Sequence, residues 1–243
     1  MSKLTGKTAI ITGASTGIGR GIAQQLARAG ASVIVTARSA DKLEDLAQEI
    51  TAEGERALAA PADVTKESEI VGVFETCLKA FGAPDILVNN AGMADATPVH
   101  ELTTERWRQV IDTNLTSYFL FSREAIRLMK ENGTGGRIIN IGSLSAKIPR
   151  GHSMAYTASK FAIEGMTKQI ALDYRDDLIT AAAIHPGATR SMLAPGFSDK
   201  PSPDRLEPAH IGDLIVYLCG LPPEMTLLDT VILPVRVPFL GRG

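Results

Sequence analysis

The sequence predicts an α/β domain whose core is a doubly wound parallel sheet with helices on both faces. Short, continuously apolar runs alternate with longer amphipathic segments, no hairpin turn joins neighbouring runs, and a glycine-rich turn leads from the first run into a helix. Continuous rather than alternating apolar strands imply burial on both faces, and strand–helix repetition implies right-handed crossovers.

Taken in order, residues 8–11, 32–36, 57–60, 86–88, 137–141, 179–184 and 231–233 read as seven strands, and the stretches between them as helices. Two long helices are expected over 104–130 and 154–175. Residues 188–208 carry Pro195, Pro201, Pro203 and Pro208, which prevents a regular helix there and predicts a loop or lid. Neither a linker nor a repeat divides the chain, so residues 1–243 are expected to form one domain.

Composition narrows the function. With 243 residues, 44% of them hydrophobic and 21% charged, the chain can bury a core without disulfides. A formal net charge of −2, from 25 Lys+Arg against 27 Asp+Glu, offers no cation excess for nucleic acid or an anionic membrane. Cys77 and Cys219 lack metal-site or redox spacing and read as reduced core thiols. His100, His185 and His210 show no ligand spacing either; they read as structural, and no metal is expected. The absence of a signal segment or an apolar stretch of membrane length leads to an expectation of a soluble cytoplasmic protein.

The first strand enters Thr12-Gly13-Ala14-Ser15-Thr16-Gly17-Ile18-Gly19 and then a helix. Glycines there let backbone bend tightly and approach a pyrophosphate, while the helix N-terminus supplies unpaired N–H donors and partial positive charge. The spacing Gly-x3-Gly-x-Gly is not the usual dinucleotide fingerprint, so a structural turn is the competing reading, and the position in the first βα unit favours the dinucleotide. At the end of the second strand, where NAD-binding domains place a carboxylate, stands Arg38. Its guanidinium suits a 2′-phosphate, so the cofactor reads as NADP(H) in preference to NAD(H), with a merely solvated arginine as the alternative.

Strand five ends in Ser143, and Tyr156 and Lys160 follow at i and i+4 on one helix face. An ammonium beside a phenol favours phenolate, and a proton delivered to a carbonyl oxygen is what hydride arrival at its carbon requires. Ser143 emerges at the carboxyl end of its strand, where ligands of open α/β sheets bind, and its hydroxyl can hold the same oxygen. A lone Tyr-x3-Lys is common by chance. Joined to the glycine turn, to Asn89-Asn90-Ala91-Gly92 and to Pro186-Gly187, all after strands, it is not readily accidental.

On these residues, together with Asp63-Val64 and Asn114, the sequence resembles the short-chain dehydrogenase/reductase superfamily over essentially its whole length. The resemblance implies a single Rossmann-type domain with Tyr156 as general acid/base, Lys160 lowering its pKa and binding the nicotinamide ribose, Ser143 orienting the substrate oxygen, and Asn114 anchoring a water in a proton relay. It also implies Asp63 and Val64 at the adenine, Asn90, Ala91 and Gly92 along the ribose, and Pro186, Gly187, Ala188 and Ser191 near the carboxamide. A homodimer or homotetramer built on the two long helices is implied as well. Two departures stand out. The tail after residue 234 lacks the family's usual Asp-Gly-Gly ending, and Arg175-Asp176-Asp177 replaces a glycine-containing turn.

Met93, Ala94, Asp95, Leu144, Ser145, Ile148, Arg150, His152, Met154, Met192, Leu193 and Phe197 are expected to border the substrate. Most are apolar, which suggests a moderately hydrophobic ketone or aldehyde; Arg150 and His152 either bind an anionic group or are simply solvated. Three functions follow: NADPH-dependent carbonyl reduction, including that of 3-oxoacyl thioesters, NAD-dependent alcohol oxidation, and a non-catalytic dinucleotide sensor.

Overall fold

The computed structural model describes residues 3–191, 193 and 200–237. Seven strands form one sheet: β1 (Thr8–Thr12), β2 (Ser32–Thr36), β3 (Ala57–Ala59), β4 (Ile86–Asn89), β5 (Gly136–Ile141), β6 (Ile179–Pro186) and β7 (Asp229–Ile232). All pairings are parallel, in the order β3-β2-β1-β4-β5-β6-β7. The order reverses between β1 and β4, and a cleft opens there at the carboxyl ends of the strands, as open α/β sheets require.

The helices are α1 (Gly17–Arg28), α2 (Ala40–Ala52), α3 (Glu67–Phe81), α4 (Thr104–Ile111), α5 (Ser117–Asn132), α6 (Met154–Asp173) and α7 (Pro208–Cys219). One apolar layer packs Ile11, Val33, Val35 and Ile184 against α1, α2 and α7. The other packs Ile10, Ile34, Leu87 and Ile138 against α3 and α5. Strands buried on both faces explain the unbroken apolar runs in the sequence. α1 crosses α7 closely because a Cβ at Gly21 would lie 2.5 Å from Pro208, and one at Gly212 would lie 2.7 Å from Gln25.

The expected helix over 104–130 is interrupted by a π-helical turn, Asp112–Thr116, which carries Asn114 and joins α4 to α5. Such insertions re-aim side chains and concentrate at functional sites. α6 ends at Asp173 and is followed by a 3₁₀ turn, Arg175–Asp177. The turn is closed by Leu178 in the left-handed region (φ 55°), a position that favours glycine. Of the expected loop 188–208, Met192 and Phe197 lie outside the described residues, while Thr189 bridges Leu206 and Arg190 pairs with Glu207. Both cysteines are free thiols, and burial pushes each up to about 12. Among the described residues no helix is long and apolar enough to cross a membrane.

Candidate active site

The cleft, about 820 Å³, runs from Arg38 at one end to Ser143, Tyr156 and Leu193 at the other. Its floor begins with the glycine turn. Gly13 and Gly17 have φ of 64° and 54°, and a Cβ on Gly19 would sit 2.3 Å from the Gly13 carbonyl oxygen and 2.5 Å from Asn90 Nδ2. Only glycine allows this close approach. Among the described residues no side chain caps the N-terminus of α1, which leaves its first N–H groups for a ligand beside Gly17 and Ile18 on the cleft wall.

β4 is locked to this turn. Thr12 Oγ1 accepts the N–H groups of Asn90 and Ala91, each at 2.9 Å, while Asn90 Nδ2 donates to the carbonyls of Thr12 and Gly13. Asn90 therefore spends its amide bracing one wall against the other. Farther out, Asp63 accepts the N–H and hydroxyl of Thr65. These bonds, helped by the charges of Arg38 and Lys66, hold its carboxyl below the usual range despite burial. Arg38 itself is exposed at the rim and makes no ion pair among the described residues.

At the other end Ser143 leaves β5, and Tyr156 and Lys160 rise one turn apart on α6. Tyr156 is 6% exposed and Lys160 4%. Lys160 Nζ donates to the Ile141 carbonyl at 2.8 Å and lies 5.6 Å from the Tyr156 ring centre and 5.5 Å from that of Tyr118. A phenol held down by Lys160, the expectation from spacing, is not what the protein alone shows. Burial raises Tyr156 above its ordinary value, opposed first by the Ser143 hydroxyl and then by the charge of Arg150. The same burial lowers Lys160 to about 7, because taking an ammonium out of water disfavours its charged form.

Asn114 is fully buried, and its side chain braces the strand-four loop: Oδ1 accepts the Met93 N–H at 2.8 Å and Nδ2 donates to the Met93 carbonyl at 2.9 Å. It lies behind the cleft wall, as does Gly19. The remaining expected cofactor residues, Ser15, Thr16, Val64, Gly92, Pro186, Gly187, Ala188 and Ser191, all line the cleft. Ser191 packs over Gly17, whose Cβ would lie 3.3 Å away.

Of the expected substrate neighbours, Met93, Leu144, Ser145, Ile148, Arg150 and Leu193 line the cleft. Asp95 does not: Arg106 Nε holds its buried carboxylate at 2.8 Å, since a charge shut away from water needs a partner. Neither Ala94, His152 nor Met154 reaches the cleft wall; Met154 is exposed, and His152 takes a left-handed φ of 54° in the exposed loop before α6. Gln109, Thr113, Arg205 and Val237 reach the wall without any signal in the sequence.

A buried polar chain supports the floor. Asn89 Nδ2 donates to Asn140 Oδ1 at 2.9 Å, and Asn140 Nδ2 donates to Thr167 Oγ1 at 2.9 Å, joining β4, β5 and α6. His185, read from the sequence as structural, is wholly buried with Nδ1 against the backbone of Ser143.

Residues 7–201 match the family described as short chain dehydrogenase. The chain belongs to that family. It is thus an oxidoreductase acting on CH–OH or C=O with NAD(P). It is 36% identical to the 3beta-hydroxysteroid dehydrogenase 2 of Eggerthella lenta, over 92% of this chain and 86% of that one. Identity to the glucose 1-dehydrogenase 2 of Bacillus subtilis is 41%, covering 78% of this chain and 75% of the relative. Among solved structures, an alcohol dehydrogenase from Thermococcus sibiricus complexed with 5-hydroxy-NADP superposes with a TM-score of 0.89 at 27% identity, covering 96% of this chain and 98% of that one. A metagenomic short-chain oxidoreductase in complex with NADP gives 0.85 at 32% identity, covering 96% and 99%. The uncapped helix, the glycine cradle and the cleft fit such a dinucleotide.

Proposed function

We propose that this short-chain dehydrogenase is an NADP(H)-dependent reductase of a moderately apolar ketone or aldehyde. The observation that carries the reading is one continuous cleft with Arg38 at its outer rim and Ser143, Tyr156 and Lys160 gathered at its inner end. When bound, the nicotinamide dinucleotide supplies hydride to the substrate carbon. Tyr156 gives its phenolic proton to the substrate oxygen, and the Ser143 hydroxyl holds that oxygen by a second hydrogen bond. Lys160, anchored on Ile141 with Nζ 5.6 Å from the Tyr156 ring centre, favours loss of that proton when it carries its charge. Asn114, tied to Met93, fixes the loop between β4 and α4 on the opposite wall. Leu144, Ile148 and Leu193 give the substrate end its apolar character.

Support for NADP(H) comes from Arg38, an exposed guanidinium at the rim, and from the two superposable structures that hold NADP or its 5-hydroxy form. A homodimer or homotetramer is the assembly proposed, formed through α5 and α6, which expose Phe119, Phe161 and Leu172. The reading belongs to a protein of the cytoplasm.

Fluorescence titration with NADPH and NADH, followed by a panel of ketones and 3-oxoacyl thioesters, tests it. Tighter NADPH binding with turnover is expected, and Arg38→Asp is expected to weaken NADPH by about 10-fold or more. Preference for NADH in the native chain overturns the cofactor assignment and favours alcohol oxidation. Binding without turnover of any carbonyl or alcohol favours a sensor.

A further inference from the structure

We propose that a brace behind the cleft, made by His185, Asp229, Lys147 and Glu164, positions Ser143. The brace rests on the role of Ser143 given above and adds residues that do not themselves meet the substrate.

Ser143 follows the end of β5 and caps the short turn Leu144–Ala146, where its hydroxyl oxygen accepts the Ser145 N–H. The location of that oxygen therefore depends on how both ends of the turn are held. At the start, the imidazole of His185 on β6 faces the Ser143 backbone, with Nδ1 3.3 Å from the N–H nitrogen and 3.1 Å from the carbonyl oxygen. The ring fills the space over Gly142, where a Cβ would lie 2.4 Å from Nδ1. At the far end, Lys147 Nζ donates to Glu164 on α6 at 2.7 Å and to Asp229 on β7. Asp229 closes the circuit, its Oδ1 lying 3.1 Å from His185 Nε2.

The electrostatics favour one direction for these contacts. His185 is 0% exposed, and Nε2 makes no hydrogen bond among the described residues, the Asp229 carboxylate lying 3.1 Å away outside hydrogen-bond geometry. The negative charge beside Nε2 favours the tautomer with its proton on that nitrogen, in which Nδ1 accepts the Ser143 N–H. Burial holds the imidazole below its ordinary range, aided by Lys147 and opposed by Asp229, the Ser143 backbone and Glu164. Lys168 balances the second oxygen of Glu164. The serine turn is thereby tied at once to β6, to β7 and to the helix that carries Tyr156.

The ligand atoms of Glu164, His185 and Asp229 come within 4.8 Å of one another, a set whose chemistry also suits a divalent cation. Lys147 already bonds both carboxylates and supplies the positive charge, which favours the brace.

The test uses the full chain and a carbonyl substrate that it reduces. His185→Leu keeps apolar bulk and removes the acceptor, whereas His185→Asn keeps an oxygen near the place of Nδ1; both lose the contact with Asp229. His185→Leu is expected to lower kcat about 10-fold or more while the NADPH Kd stays within about 2-fold, with His185→Asn recovering most of the loss at a similar Tm. Parallel loss in both variants, following Tm, or unchanged kcat in His185→Leu, overturns the proposal. Ser143→Ala separates this from failure of the underlying reading. Full activity there removes the role of Ser143 and the brace with it, while loss there without loss in His185→Leu removes the brace alone. A rise in Tm on adding Zn²⁺ or Mn²⁺, abolished by Asp229→Asn, likewise overturns it in favour of a metal site.

Discussion

Lys160 donates its 2.8 Å hydrogen bond to the carbonyl of Ile141, two residues before Ser143, so the helix bearing Tyr156 and the strand leading to Ser143 share one bond at the site. An ammonium in that place is costly, being 4% exposed with no carboxylate among the causes acting on its pKa.

The cost has a pH signature. Folding lowers Lys160 from 10.5 to about 7, so between those values the unfolded chain binds a proton that the folded chain does not. Stability from this group therefore rises with pH from about 7 to about 10.5 and is lowest below 7. Lys160→Met removes the penalty, and its Tm measured without added cofactor is expected to exceed that of the native chain most at pH 6–7. The gap should shrink as pH approaches 10. A gap independent of pH would refute the buried ammonium.

Tyr156→Phe keeps the ring packed and removes the proton donor. Turnover is expected to fall by roughly 10²- to 10⁴-fold with cofactor affinity little changed. Steady-state kinetics with parallel fluorescence titration decides the matter, and retained turnover would exclude Tyr156 as the acid.

Gly19→Ala places a methyl 2.3 Å from the Gly13 carbonyl oxygen, which is backbone and cannot swing aside. The turn must shift, at a cost of about 1–3 kcal/mol, and the NADPH Kd is expected to rise 10-fold or more. Gly54→Ala, a glycine with nothing near its Cβ but φ of +88°, serves as a control that alters stability without altering affinity.

Asn140→Ala strands the Asn89 amide, which keeps one bond to Ser122, and removes the donor to Thr167 inside the core. A loss of about 1–3 kcal/mol in denaturant unfolding is expected, because buried polar groups left unpaired bear their full desolvation cost. A neutral result would mean that water replaces the lost amide.

Most strands were legible because each is a local apolar run, whereas β7 begins at Asp229-Thr230, before its apolar pair; the two ends of the cleft were legible because their motifs are short: a glycine turn, a lone arginine after β2, and a tyrosine and lysine one turn apart. Asp95 was misread as a substrate neighbour because its partner Arg106 lies a loop away, on α4. His185 carried no motif, and its contact with Ser143 spans 42 residues of sequence. The π-helical turn at Asn114 left no mark on the amphipathic pattern around it.

The sequence by itself determined the sheet, the glycine cradle and the identity of the reacting groups, since strand periodicity, backbone freedom and i, i+4 spacing are properties of neighbours along the chain. Only the tertiary structure decided which polar groups are shut from water and what meets them there. That is why the phenol of Tyr156 stands above its ordinary range and the ammonium of Lys160 below its own, the reverse of what their spacing alone implies.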